Sequence, residues 1–165
     1  MWTTQPTWTN EYSKFFYFSN MKLTKPFILL ASSALLLLSA CTDRPVAAAD
    51  LPAPITAFVA QHFPGQTIVY ADKDLELTGF SYDVMLANGT QLDFGTDHEW
   101  NKIDCKMTAV PASVVPPTIA TYVQTTFPGN MIVKIDKERY GYDVELANDM
   151  ELKFNHQGAV IGMDD

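Results

Sequence analysis

From Leu51 onward the apolar residues fall into two alternating periods, and the pair recurs. Ile55, Phe58, Val59 and Phe63 keep the i, i+3, i+4 spacing that gathers side chains on one helix face, in a Pro-flanked stretch that Pro64-Gly65 stops. Ile119, Tyr122, Val123 and Phe127 repeat the pattern before Pro128-Gly129, at a constant offset of 64. Beyond the first helix the period shortens to two, predicting strands over Thr67–Ala71, Phe80–Leu86, Gln91–Phe94 and Glu99–Met107. Asn88-Gly89 supplies the positive φ angles of a tight hairpin between the middle two. The second copy, Tyr140-Gly141-Tyr142-Asp143-Val144-Glu145-Leu146-Ala147-Asn148, aligns with Phe80 to Asn88 at offset 60, so the first copy holds four extra residues between Lys73 and Phe80. The expected fold class is α+β: two tandem repeats, 51–108 and 109–165, each an N-terminal helix packed on a four-stranded antiparallel sheet.

Strand parity assigns the faces, because alternate side chains point to opposite sides of a sheet. Phe80, Tyr82, Val84 and Leu86, with Leu92 and Phe94, belong to the helix side, as do Tyr140, Tyr142, Val144, Leu146, Leu152 and Phe154. The other side then carries Asp83, Met85 and Asp93, and Asp143, Glu145, Glu151 and Lys153, joined by Ile68, Tyr70 and Trp100 if the outer strands keep the same alternation. An antiparallel sheet with one solvated face is ordinary. The sharper reading is a surface for a ligand or partner, with Tyr70, Asp83, Met85, Trp100, Asp143 and Glu145 as candidate contacts.

The first fifty residues carry an address. Met21-Lys22-Leu23-Thr24-Lys25 gives a basic start and Phe27 to Leu38 an apolar run too short to span a bilayer, so 21–40 reads as a signal peptide. Residues 1–20 show no sustained period and read as an extension upstream of the true start. Leu38-Ser39-Ala40-Cys41 resembles the bacterial lipobox, which implies that Cys41 is lipidated, becomes the mature N-terminus and anchors the protein to the membrane of the cell envelope. Residues 41–50, Ala-rich and broken by Pro45, read as a tether.

Charge narrows the partners. From Cys41 onward 8 basic residues face 18 acidic ones, a net charge of −10, which repels phosphate backbones and makes nucleic acid an unsuitable partner. Two cysteines, Cys41 and Cys105, leave no thiolate metal motif, and Cys105 reads as a small core residue. His62, His98 and His156 occupy non-equivalent places without metal-ligand spacing, and no GxSxG turn is present, so the chain is expected to be non-catalytic and without cofactor. The carboxylates Asp83, Asp93, Asp143, Glu145 and Glu151 could collect calcium, although no DxDxDG loop concentrates them.

Taken together, the apolar helix, Phe-Pro-Gly, Tyr-Asp-Val-x-Leu-Ala-Asn and the short Leu-x-Phe strand resemble the PepSY-like, beta-lactamase-inhibitor-like domains of bacterial envelope lipoproteins, over about residues 51–165. The resemblance implies tandem helix-on-sheet units with sheets side by side, forming a concave surface that in the inhibitor clasps an enzyme. The chain lacks the inhibitor's paired cysteines. The functional expectation is an envelope lipoprotein binding module, facing the periplasm or cell surface, that holds an envelope protein or peptide on its open sheet face; the alternative is a small-ligand or calcium-binding sensor.

Overall fold

The computed structural model describes residues 44–164, so the expected extension, signal peptide and lipidation residue Cys41 lie outside the described residues. Strand β1 (Arg44–Pro45) and a single 3-10 turn (Ala48–Asp50) precede helix α1 (Ala53–His62) and strands β2 (Ile68–Glu76), β3 (Gly79–Leu86), β4 (Gln91–Phe94) and β5 (Trp100–Asp104). Helix α2 (Pro117–Thr126) follows, then β6 (Ile132–Glu138), β7 (Gly141–Leu146), β8 (Glu151–Asn155) and β9 (Val160–Asp164). All nine strands join in sequence order into one antiparallel sheet.

Each helix carries a proline in its first turn, Pro54 in α1 and Pro117 in α2, where the missing N–H and fixed φ are suited, and ends where Phe63 or Phe127 donates its N–H to the carbonyl of Val59 or Val123. Gly65 and Gly129, at φ +81° and +90°, then reverse the chain. Ile55, Val59, Ile119 and Val123 are buried against the sheet. Phe58 meets Phe94 edge-on at 5.5 Å and Tyr122 meets Phe154 in the same way at 5.6 Å. Register carries Leu92 through Ile103, Ile135 and Val144 to Leu152 on one side of the sheet, so both helices cover the same face over one continuous core.

The separate sheets expected for the two copies are one sheet, because β5 pairs with β6 through Lys102↔Asp136, Ile103↔Ile135 and Asp104↔Lys134. Burying Ile103 and Ile135 completely removes an apolar edge that two isolated sheets would each expose. The tether stretch is engaged from Arg44 on: Arg44 and Pro45 pair with Lys73 and Asp72, Val46 donates to the Ala71 carbonyl, and Leu51 is buried.

Four placements depart from simple alternation. A bulge between Ile68 and Tyr70 sets Ile68 opposite Leu86 and packs it on the core, while Tyr70, opposite Met85, stays on the open side. A second bulge between Asp93 and Phe94 sets Trp100 opposite Phe94 and turns its ring into the core at 8% exposure. Trp100 is therefore not a contact residue of the open face; the Lys137 ammonium covers its ring at 4.1 Å. Tyr140, expected on the apolar side, sits instead in the β6–β7 turn and is exposed, whereas the longer β2–β3 hairpin brings its counterpart Phe80 into the strand, opposite Leu75 and partly buried. Cys105 is buried as expected, but the positive φ of Lys106 turns the chain outward and leaves Met107 exposed.

Candidate functional site

The face away from the helices is ruled by two rows of side chains that cross the strands. One row runs Asp72, Asp83, Asp93, Lys102, Asp136, Asp143 and Lys153, each opposite the next in register. The other runs Tyr70, Met85, Gln91, Asp104, Lys134, Glu145, Glu151 and Asp164. Between the rows in the first half lies a cleft of about 320 Å³ bordered by Tyr70, Asp72, Asp83, Met85, Gln91 and Asp93.

Asp72 sits deepest, at 8% exposure. Its Oδ2 accepts the Tyr70 phenol at 3.1 Å, and its Oδ1 is buried without a hydrogen bond. Burial pushes the Asp93 carboxyl above the ordinary range, the Lys102 ammonium pulls it back, and the charges of Asp136, Asp104 and Asp72 push it further up. The Lys102–Asp93 separation is 3.8 Å. At the outer end Lys106 takes Asp104 at 2.6 Å and Gln91 at 3.0 Å.

The second half holds its acids differently. Lys134 lies 3.1 Å from Asp136 and 3.8 Å from Glu145, and Lys153 lies 2.7 Å from Asp164 and 3.7 Å from Glu151. Although burial lowers it, the Lys134 ammonium is held above its usual range by Asp136, Glu145 and Asp104. Tyr140 donates to Asp143 at 2.5 Å.

Of the residues singled out from sequence, Tyr70, Asp83 and Met85 meet at the first cleft, and Asp143 and Glu145 lie on the same face in the second half. Asp72, Gln91, Lys102, Lys134 and Asp136 were not among them. The signal existed for Asp72, two residues beyond Tyr70 and so on its side of the strand. The three histidines are apart: His62 Nδ1 meets Ser113 Oγ at 2.8 Å, His98 packs on Tyr82, and His156 Nε2 meets the Arg139 carbonyl at 3.1 Å. Among the described residues no group of three or more His, Cys, Asp or Glu side chains is arranged to hold a metal ion.

Comparison with known proteins gives a consistent family. The family model described as "Putative beta-lactamase-inhibitor-like, PepSY-like" matches residues 80–162. A Bacteroides vulgatus crystal structure described as a "putative periplasmic protein" is 36% identical, with TM-score 0.70, over 74% of this chain and 97% of its own. A Bacteroides thetaiotaomicron structure, a "putative calcium-regulated periplasmic protein", is 32% identical with TM-score 0.70, over 74% of this chain and 97% of its own. Another from Bacteroides vulgatus, a "putative periplasmic protein of unknown function", is 32% identical with TM-score 0.70, over 75% and 100%. Curated proteins gave no match. With half its length matched by the family model and three-quarters superposed on relatives above 30% identity, the chain belongs to the PepSY-like, beta-lactamase-inhibitor-like family.

Proposed function

We propose that this protein is a non-catalytic binding module of the periplasm, anchored through lipid on Cys41, whose open sheet face takes an envelope protein or peptide. In this reading one helix-plus-four-strand unit is used twice, and joining the sheets doubles the span of the face. The observation that carries it is the cleft between the two rows, where Tyr70, 45% exposed, and Met85 supply apolar contact beside the carboxylates of Asp72, Asp83 and Asp93. Periplasmic descriptions of the related Bacteroides structures support the location. Affinity capture from envelope extract with the chain and with a Tyr70→Ala, Met85→Ala variant tests it. A partner retained by the first and lost by the second is the expected result; identical capture by both rules out this face.

A second reading, a calcium-responsive sensor, draws on the Asp72, Asp83, Asp93 row and on the calcium-regulated description of one relative. It requires a saturable rise in unfolding temperature with calcium that an equal ionic strength of sodium does not reproduce. A flat response removes it.

A further inference from the structure

The four residues by which the first copy exceeds the second lengthen one hairpin. In the second copy Lys137 faces Tyr142, Glu138 faces Gly141, and the chain turns through Arg139 and Tyr140. In the first, Lys73 faces Tyr82 in the same way, but Asp74↔Ser81, Leu75↔Phe80 and Glu76↔Gly79 follow before the turn at Leu77 and Thr78. The β2–β3 hairpin is thus longer by two residue pairs, about 7 Å at the rise of a strand. The added stretch brings two leucines into solvent: Leu75 is 73% exposed and Leu77, at its very tip, is fully exposed. The tip is braced, since the hydroxyls of Thr78 and Thr96 meet at 2.9 Å.

Strand β1 says what lies near that tip. Its pairing is antiparallel, with Arg44 opposite Lys73 and Pro45 opposite Asp72, so the chain enters β1 from the end of the sheet at which β2 and β3 turn. Cys41 precedes Arg44 by three residues and, by covalent reach alone, lies within ~11 Å of it. Leu77 stands four residues beyond Lys73 along the hairpin, a distance of about 13 Å. An anchor at Cys41 and the leucine tip therefore belong to the same end of β2.

We propose that the β2–β3 tip is a membrane contact: with the lipid of Cys41 in the bilayer, Leu75 and Leu77 enter the headgroup–acyl boundary of the same leaflet and fix how the domain stands. This rests on the lipid-anchor reading above and adds a second point of attachment. Two leucines bury too little to hold a free acidic protein on a membrane, but an anchor this close keeps the tip at high local concentration beside it. Arg44 and Lys73, opposite each other behind the tip, are placed to meet lipid phosphates. Asp74 and Glu76 keep the tip acidic, so a zwitterionic bilayer suits it better than an anionic one. The strands β2 and β3 then rise from the membrane and leave the open face accessible from the side.

The test uses the full chain expressed in bacteria, purified from their membranes and reconstituted into phosphatidylcholine vesicles, after the mass of its N-terminal peptide has been measured. A nitrobenzoxadiazole label is placed on Leu77→Cys or, at the opposite end of β3, on Ala87→Cys; Cys105 is buried and stays unlabelled. Quenching by lipids spin-labelled in the acyl chain, at least threefold stronger at position 77 than at 87 and reduced by Leu75→Ser, is the expected result. Equal quenching at both positions, or none at either, overturns the contact. A label at 77 that lipid leaves bright, and that changes only when envelope protein is added, overturns it in favour of a protein partner. Should the labelled chain fail to fold by circular dichroism, hydrogen exchange of the unaltered chain decides: amides of residues 74–79 should slow at least threefold on vesicles relative to a soluble Cys41→Ser chain, and unchanged exchange there sinks the contact. Lipid found on Cys41 with the tip in water removes the contact and leaves the anchor standing, whereas an N-terminal peptide without lipid removes both.

Discussion

Trp100 illustrates how a single residue changes meaning with one inserted neighbour. Strict alternation from Ile103 sends it to solvent, and the bulge at Asp93/Phe94 sends it to the core. Trp100→Ala is therefore expected to cost about 3–5 kcal/mol in urea unfolding, the range for large aromatic truncation, while leaving open-face binding intact in whatever fraction stays folded. Gly79 and Gly141 hold matching positions at φ +151° and +148°, where any side chain is strained. A methyl at Gly79 meets nothing nearer than Thr96 Cβ at 3.6 Å, whereas at Gly141 it collides with the backbone of Phe154 and Asn155. Gly141→Ala should lose about 2–4 kcal/mol and Gly79→Ala about 1 kcal/mol, compared by the same unfolding titration. Tyr140 offers a pH test, because its hydrogen bond to Asp143, with lesser help from desolvation and nearby acids, pushes its phenol up to about 12. The folded value lies above the unfolded one, so the contribution is complete below ~10 and vanishes as pH rises through about 12. Ultraviolet difference titration of the chain against Tyr140→Phe should place the missing tyrosinate near the upper value, and Asp143→Asn should bring it down.

Among the elements, the helices were the most legible in sequence. Proline starts, four apolar positions on one face and a Phe-Pro-Gly stop all point the same way, and α1 and α2 occupy those segments. The inner strands were nearly as clear, since β4 runs over Gln91–Phe94 as its alternation predicts. The outer strands were not, because a bulge adds a residue without changing the apolar and polar composition that the period is read from. Strand β1 was hidden for another reason: two residues carry no period, and Arg44-Pro45 resembles the linker around it. Its pairing shields the outer edge of β2 and helps seat Val46 and Leu51. A chain beginning at Leu51 is expected to be less stable by about 1–2 kcal/mol and to associate more readily at that bared edge, seen by thermal melting and sedimentation.

At the scale of the whole molecule, the pairing of β5 with β6 makes the two halves one cooperative structure. Ile135→Ala, at a fully buried position of the seam, should lower stability by about 2–5 kcal/mol. Calorimetry of the parent chain should show one transition with equal calorimetric and van't Hoff enthalpies; two separated transitions would contradict a shared core. Continuity of the sheet also decides what the open face can be, for it aligns the carboxylate rows of both halves on a single surface. Sequence by itself determined the α+β class, the helix faces, the inner-strand core and the acidic character of the solvent side, because each follows from local period and composition. Only the tertiary structure decided that the sheet is single, that Ile68 and Trp100 turn inward, and that Asp72 lies buried beside Asp83 and Asp93 while its counterpart Asp136 meets a lysine. Those outcomes depend on strand register, which is fixed by hydrogen bonds between residues far apart along the chain and leaves no trace in any short stretch of it.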